Sequence, residues 1–163
     1  ILDSGNNSQK NAIAKEAAAM VSGAYQNYKL ENSASASTSF ADLTPYMNYV
    51  AADTTSTIDY YNGAGALTCP TRFCLKLHNG AMLLYGLTVA FGDTAYTSGI
   101  WFYVDPDGVY GGSTTGPSKS VVFWLYYNGR MTNWGNLLAN TYTNGSLYNP
   151  LPARDPEWFS WSN

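Results

Sequence analysis

The sequence predicts an α+β fold, an N-terminal α-helix packed on an antiparallel β-sheet of about four to six strands. Three observations carry that expectation. Residues 8–30 repeat apolar side chains at helical spacing, residues 31–39 are a polar low-complexity break, and residues 73–134 are aromatic-rich strand-like runs separated by turn signals. At 163 residues the chain is most simply one domain. It is long enough to bury a core without a metal or many crosslinks.

The helix comes first. Ile13, Ala17, Met20, Val21, Ala24 and Tyr28 recur at spacings of three and four, so they share a face. Lys10, Lys15, Glu16 and Gln26 fall largely elsewhere, and the alanine run Ala17–Ala19 raises helix propensity. Small residues in the stripe suit close packing on a sheet. Residues 31–72 form an αβ-loop with one short helix. Ser39 is its expected N-cap before Phe40-Ala41-Asp42-Leu43, with Pro45 in an early turn and Tyr46, Met47, Tyr49 and Val50 on its apolar side. Its end is expected at Asp53–Thr57, and residues 58–71 are expected to be irregular, with a turn near Gly63 and Gly65.

The sheet follows over residues 73–134. Phe73–Leu77 and Ala81–Tyr85 flank Asn79-Gly80, a two-residue hairpin signal, and Leu87–Phe91 is expected to continue the second strand past a kink at Gly86. Ile100–Val104 and Lys119–Tyr127 flank a glycine-rich loop that opens with Asp105-Pro106-Asp107-Gly108. Asn128-Gly129 turns the chain into Arg130–Trp134. The tail, residues 135–163, is expected to be loop-like with Pro150, Pro152 and Pro156. Its Trp158, Phe159 and Trp161 are too apolar to dangle and should fold back on the body or form an interface.

Composition narrows the function. Charged residues are only 12 % and aromatics 15 %, with 14 Tyr, so the surface is polar and nearly neutral. That suits a secreted or surface-exposed protein that packs on copies of itself or contacts sugars. The net charge is −3, and the 8 Lys and Arg are scattered, so the electrostatic term that dominates nucleic-acid binding is missing. The Tyr/Thr/Asn-rich composition points to an oxidising compartment, in which Cys69 and Cys74 are expected to form a small local disulfide; free core thiols are the alternative. Two Cys and the single His78 leave a four-ligand zinc set incomplete. No apolar run approaches transmembrane length, and the chain opens Ile-Leu-Asp, which reads as a processing site or a cut end.

Motifs for chemistry are few, and an enzyme is not expected. His78, just before a turn, reads as a strand-end residue, and no Gly-x-Ser-x-Gly elbow accompanies it. The three glutamates, Glu16, Glu31 and Glu157, lie outside the sheet core, and no phosphate-binding or dinucleotide fingerprint is present. The Asp105-Pro106-Asp107-Gly108 loop has two readings. One is a turn, with Pro106 and Gly108 at their favoured positions. The other is a calcium loop in which Asp105 and Asp107 supply oxygens; it is no EF-hand, because Val109 and Gly116 stand where that motif needs ligands. Tyr60-Tyr61, Tyr126-Tyr127 and Trp158–Trp161 are candidates for stacking on sugars. Two sequons, Asn6-Asn7-Ser8 and Asn144-Gly145-Ser146, carry no meaning if the source is bacterial.

These residues carry a resemblance. The alanine-rich helix leads through a polar loop to Asp42-Leu43-Thr44-Pro45-Tyr46. Then come Phe102-Tyr103-Val104-Asp105-Pro106-Asp107-Gly108, Gly116-Pro117-Ser118-Lys119 and Val122-Phe123-Trp124-Leu125-Tyr126-Tyr127-Asn128-Gly129-Arg130. Residues 8–134 resemble the soluble portion of a type IV pilin or pseudopilin. The resemblance implies a pilin-like lollipop shape whose apolar N-terminal helix half lies upstream of Ile1. It implies a structural role, as major or minor subunit of an extracellular pilus or related filament serving adhesion, motility, secretion or uptake. The partners would be other pilin subunits, and a glycan or surface ligand is a further one. Membrane contact would run only through the missing helix half, anchored in the inner membrane before assembly. Because pseudopilins bind calcium in a C-terminal loop, the resemblance also favours calcium at Asp105 and Asp107. The alternative is a stand-alone secreted carbohydrate-binding or adhesin domain.

Overall fold

The computed structural model describes residues 2–59, 66–69, 73–86, 88–109, 120–138, 141–143, 146–148 and 155–161. The architecture is the expected α+β arrangement. A long helix, α1 (Leu2–Glu31), is followed by a short helix, α2 (Phe40–Leu43), which tightens into a 3-10 turn over Thr44–Tyr46. The strands are β1 (Ala51–Asp53), β2 (Thr57–Asp59), β3 (Ala66–Thr68), β4 (Phe73–Lys76), β5 (Met82–Tyr85), β6 (Gly99–Asp105), β7 (Val121–Tyr126), β8 (Met131–Asn133), β9 (Thr141–Thr143) and β10 (Ser146–Tyr148). One antiparallel sheet runs in the order β1-β4-β5-β6-β7-β8; β2 with β3 and β9 with β10 form separate two-stranded ribbons.

Register sorts the side chains between two faces. Phe102 sits opposite Phe123, and Trp101 opposite Trp124. Because side chains alternate along a strand, Ile100, Phe102, Val104, Val121, Phe123 and Leu125 join one core cluster with α1. Tyr103, Val122, Trp124 and Tyr126 join a second cluster with Met82, Leu84, Cys74 and Trp134 on the opposite face. Every described side chain of β7 is buried, and all of β6 except Trp101. A strand buried on both faces is hydrophobic without alternation, which is why these two runs are so apolar.

The first face is covered by α1. Ala14, Ala17, Ala18, Val21, Ala24 and Tyr25 are buried, and Ile13, Met20 and Tyr28 flank them. The stripe is rotated from the sequence expectation, centring on small side chains and leaving bulkier ones at its margins. Alanines at the centre allow the backbone of α1 to approach the Phe102 and Phe123 rings, whose centroids lie 5.5 Å apart. Near the helix end Tyr25 donates to the Tyr127 carbonyl at 2.6 Å and tilts against Phe91. Burial holds its phenol well above the usual tyrosine pKa, so it stays a neutral donor. The tail closes the same layer: Trp158 and Phe159 join the core, Phe159 meets Phe123 edge to face at 5.4 Å, and the Ser160 amide donates to Asn11 of α1.

Four local expectations are corrected. The short helix does not run on to Asp53; Met47 is already extended, the Val50 amide donates to the Lys76 carbonyl, and Ala51–Asp53 become the edge strand β1. The open edge of β4 has backbone groups to satisfy, and that outweighs helical spacing. Residues 57–59 and 66–68 are a ribbon rather than irregular, because Ile58 buries into the second cluster. Past Gly86 the chain turns instead of extending β5: the Val89 amide donates to the Gly86 carbonyl, and Ala90 bridges to Ser39. Lastly, the tail contains the β9–β10 ribbon. It follows the buried Tyr126 hydroxyl, which accepts from the Leu138 amide and bonds the Thr141 hydroxyl.

Both Asn-Gly hairpins form, each with a three-residue loop instead of two. Leu77 pairs with Ala81, and Tyr126 with Arg130, so His78–Gly80 and Tyr127–Gly129 are the loops, with glycine in the left-handed region. The side chains of Asn79 and Asn128 accept the amides of Ala81 and Arg130, two residues on.

If the small-residue face sets the distance between α1 and the sheet, enlarging it destabilises the fold. Ala18→Leu is expected to cost roughly 1–3 kcal/mol in urea denaturation by overpacking. Tyr25→Phe, which removes only the hydroxyl bonded to Tyr127, is expected to cost about 1 kcal/mol.

Candidate functional site

The acidic loop is the leading candidate in the sequence, and its described part is a turn. Asp105 ends β6 fully buried, and its Oδ1 accepts the Asp107 amide at 3.3 Å. The Gly108 amide donates to the Asp105 carbonyl, and Asp107 Oδ1 accepts the Val109 amide at 2.9 Å. Asp107 thereby makes the bond that Asn79 and Asn128 make in the two hairpins, again followed by a glycine with positive φ. Gly108 is required twice over, because φ is +69° and a Cβ there would lie 2.9 Å from the Gly80 carbonyl oxygen. The loop thus rests on the β4–β5 hairpin. Among the described residues no group of three or more His, Cys, Asp or Glu gathers as a metal site. Further oxygens for a calcium ion at Asp105 and Asp107 would have to come from the loop over 110–119, which lies outside the described residues.

Cys69 and Cys74 form the expected disulfide, with Cα atoms 5.5 Å apart. It joins the end of β3 to β4 on the sheet face away from α1, and the Cys69 amide donates to the Ser56 carbonyl. The bond pins the β2–β3 ribbon over the second cluster. A loop this short removes only about 2 kcal/mol of unfolded-state freedom. Just before the ribbon, Asp53 accepts the amides of Thr55 and Ser56 and the Ser56 hydroxyl, and these bonds hold its carboxyl below the usual range.

The aromatic candidates separate cleanly. Tyr126 is buried and Tyr127 spends its hydroxyl on the Ala34 carbonyl, so both are structural. Trp158 and Phe159 are core, whereas Trp161 keeps 36 % of its surface exposed. Tyr60 and Tyr61 lie outside the described residues, as do Gly63, Gly65 and the Asn144-Gly145 part of the second sequon. His78 is exposed at its strand end, with Nε2 3.2 Å from Asn48 Oδ1. Glu16 accepts from Asn79 and Glu31 from the Tyr46 hydroxyl, so both fasten α1 to the loops beside it.

One concave feature is not legible in the sequence. A cleft of about 560 Å³ opens where β8 and the following 3-10 turn (Trp134–Asn136) meet residues 155–161. Arg130, Thr132, Asn133, Asn136, Asp155 and Trp161 are among the residues lining it. A polar chain crosses it: Asn136 Nδ2 donates to Asn133 Oδ1 at 2.7 Å, and Asn133 Nδ2 donates to Asp155 Oδ2. Asp155 Oδ1 is buried with no hydrogen-bond partner. Desolvation pushes the Asp155 carboxyl above the usual range, partly countered by its bonds from Asn133 and Gly135. The fold thus favours the protonated acid, and this group's contribution to stability rises as pH falls through that raised pKa. The only signal in the sequence is a tail with two tryptophans and an Asp between Arg154 and Pro156; its partner Asn133 lies 22 residues upstream.

No protein family, curated protein or solved structure matches the chain.

The turn geometry has a direct consequence. Because an asparagine makes the same bond at positions 79 and 128, Asp107→Asn is expected to change stability by less than about 0.5 kcal/mol. Its melting temperature should be equally unaffected in calcium and in chelator. A loss confined to calcium would place an ion at Asp107.

Proposed function

We propose that the chain is the globular part of a structural subunit of an extracellular filament of the type IV pilin class. The observation that carries this reading is the division of labour within α1. Its 30 residues span about 45 Å. Ala14–Tyr25 supply the face sunk against the antiparallel sheet, whereas none of Asn7–Ile13 is buried. A helix whose middle is sunk in the head while residues 7–13 stay half-buried or exposed suits a subunit whose helices bundle at a filament axis while the heads face outward. The charge-poor, tyrosine-rich composition supports the same reading, since it lets like copies pack without strong repulsion.

The partners on this reading are other copies or related subunits. Before assembly the subunit is held in the inner membrane by apolar helix upstream of Ile1; no described helix is itself long and apolar enough to cross a membrane. Surface loops would decide whether the filament serves adhesion, motility, secretion or uptake. The coding sequence upstream of Ile1 tests the reading most cheaply. About 20 apolar residues in helical continuity with α1, preceded by a processing site, are expected. An unrelated domain joined there would overturn it.

A further inference from the structure

We propose that the cleft between β8 and the C-terminal segment is a saccharide-binding site, with Trp161 as its platform and the Asn136–Asn133–Asp155 chain as its polar wall. The platform is backed by core aromatic rings. Trp161 is held 5.6 Å from the Phe123 ring and 6.1 Å from the Phe159 ring, while part of its indole faces solvent at the cleft rim. An aromatic face backed in this way suits the apolar C–H face of a pyranose.

The wall suits the hydroxyl rim of the same ring. Vicinal sugar hydroxyls both donate and accept, so they need neighbouring protein groups of both kinds. The Asn136 amide keeps a second N–H beyond its bond to Asn133, and the Asn133 and Asp155 oxygens that accept along the chain each hold a further lone pair. Arg130 adds a guanidinium that makes no ion pair among the described residues. Volume agrees: about 560 Å³ lies within the range of small-molecule sites.

The chemistry also disfavours other occupants. A lone Arg beside an Asp is a poor phosphate or nucleic-acid site. An apolar peptide or lipid tail would leave the second Asn136 N–H and the Arg130 guanidinium without partners. The adjoining groove along α1, lined by Lys15, Ala18, Ala19, Ser22, Met131 and Trp161, shares the same tryptophan and gives a longer saccharide room to continue. The inference concerns the head alone and stands whether or not the chain joins a filament.

The test is titration of the protein with glucose, galactose, mannose, N-acetylglucosamine and N-acetylgalactosamine. Tryptophan fluorescence and saturation-transfer NMR are the readouts, and a glycan array extends the search to oligosaccharides. At least one saccharide is expected to give a saturable signal. Trp161→Ala should weaken it roughly tenfold. Arg130→Ala, whose exposed side chain is not needed for folding, should weaken it without altering the near-UV circular dichroism. Absence of binding by every saccharide would overturn the proposal, as would unchanged binding in both variants.

Discussion

The two central strands β6 and β7 are buried on both faces, and most of the fold follows from covering them. Their paired rows of aromatic and β-branched side chains cannot be left to water on either side. One face takes α1, the other takes the β2–β3 ribbon and the segment after β8. Each cover is thin, so each is fastened by something specific. On the α1 side the fasteners are the Tyr25 hydroxyl on the Tyr127 carbonyl, the Asn79 amide on the Ile13 carbonyl and the Ser160 amide on Asn11. On the far side they are the Cys69–Cys74 disulfide and the Tyr126 hydroxyl, which bonds the Leu138 amide and the Thr141 hydroxyl.

One turn device is used three times. His78-Asn79-Gly80, Pro106-Asp107-Gly108 and Tyr127-Asn128-Gly129 each place an Asn or Asp whose side chain accepts the amide two residues on, followed by a left-handed glycine. The first and third close hairpins of the sheet, and the second lies against the first through Gly108 and the Gly80 carbonyl. Asp107 therefore has a structural role that asparagine performs elsewhere in the same molecule.

The features legible in the sequence are those that rest on local signals. The α1 periodicity, the strands at residues 73–76, 82–85, 99–105, 121–126 and 131–133, both Asn-Gly turns and the short disulfide are all local. What escapes a sequence reading depends on distant partners. Ala51–Asp53 is a strand because β4 offers an edge, and Thr141–Thr143 lies beside a tyrosine hydroxyl fifteen residues back. Unbroken burial also hides the face of individual residues: Tyr126 has the look of an exposed aromatic in Tyr126-Tyr127, yet its buried hydroxyl ties down the chain at Leu138 and Thr141. The C-terminal cleft is invisible for the same reason, since Asn133 and Asp155 meet only in three dimensions. The return of Trp158 and Phe159 to the body is foreseeable, because apolar bulk does not depend on knowing the partner.

Native-state hydrogen exchange addresses the dependence of the sheet on its helical cover. If α1 is part of the same cooperative unit, the amides of β6 and β7 and those of Ala14–Tyr25 will exchange with one common opening free energy, equal to that of global unfolding. Exchange of the Ala14–Tyr25 amides at a far lower free energy, with β6 and β7 still protected, would contradict the account: the sheet would then hold without its cover.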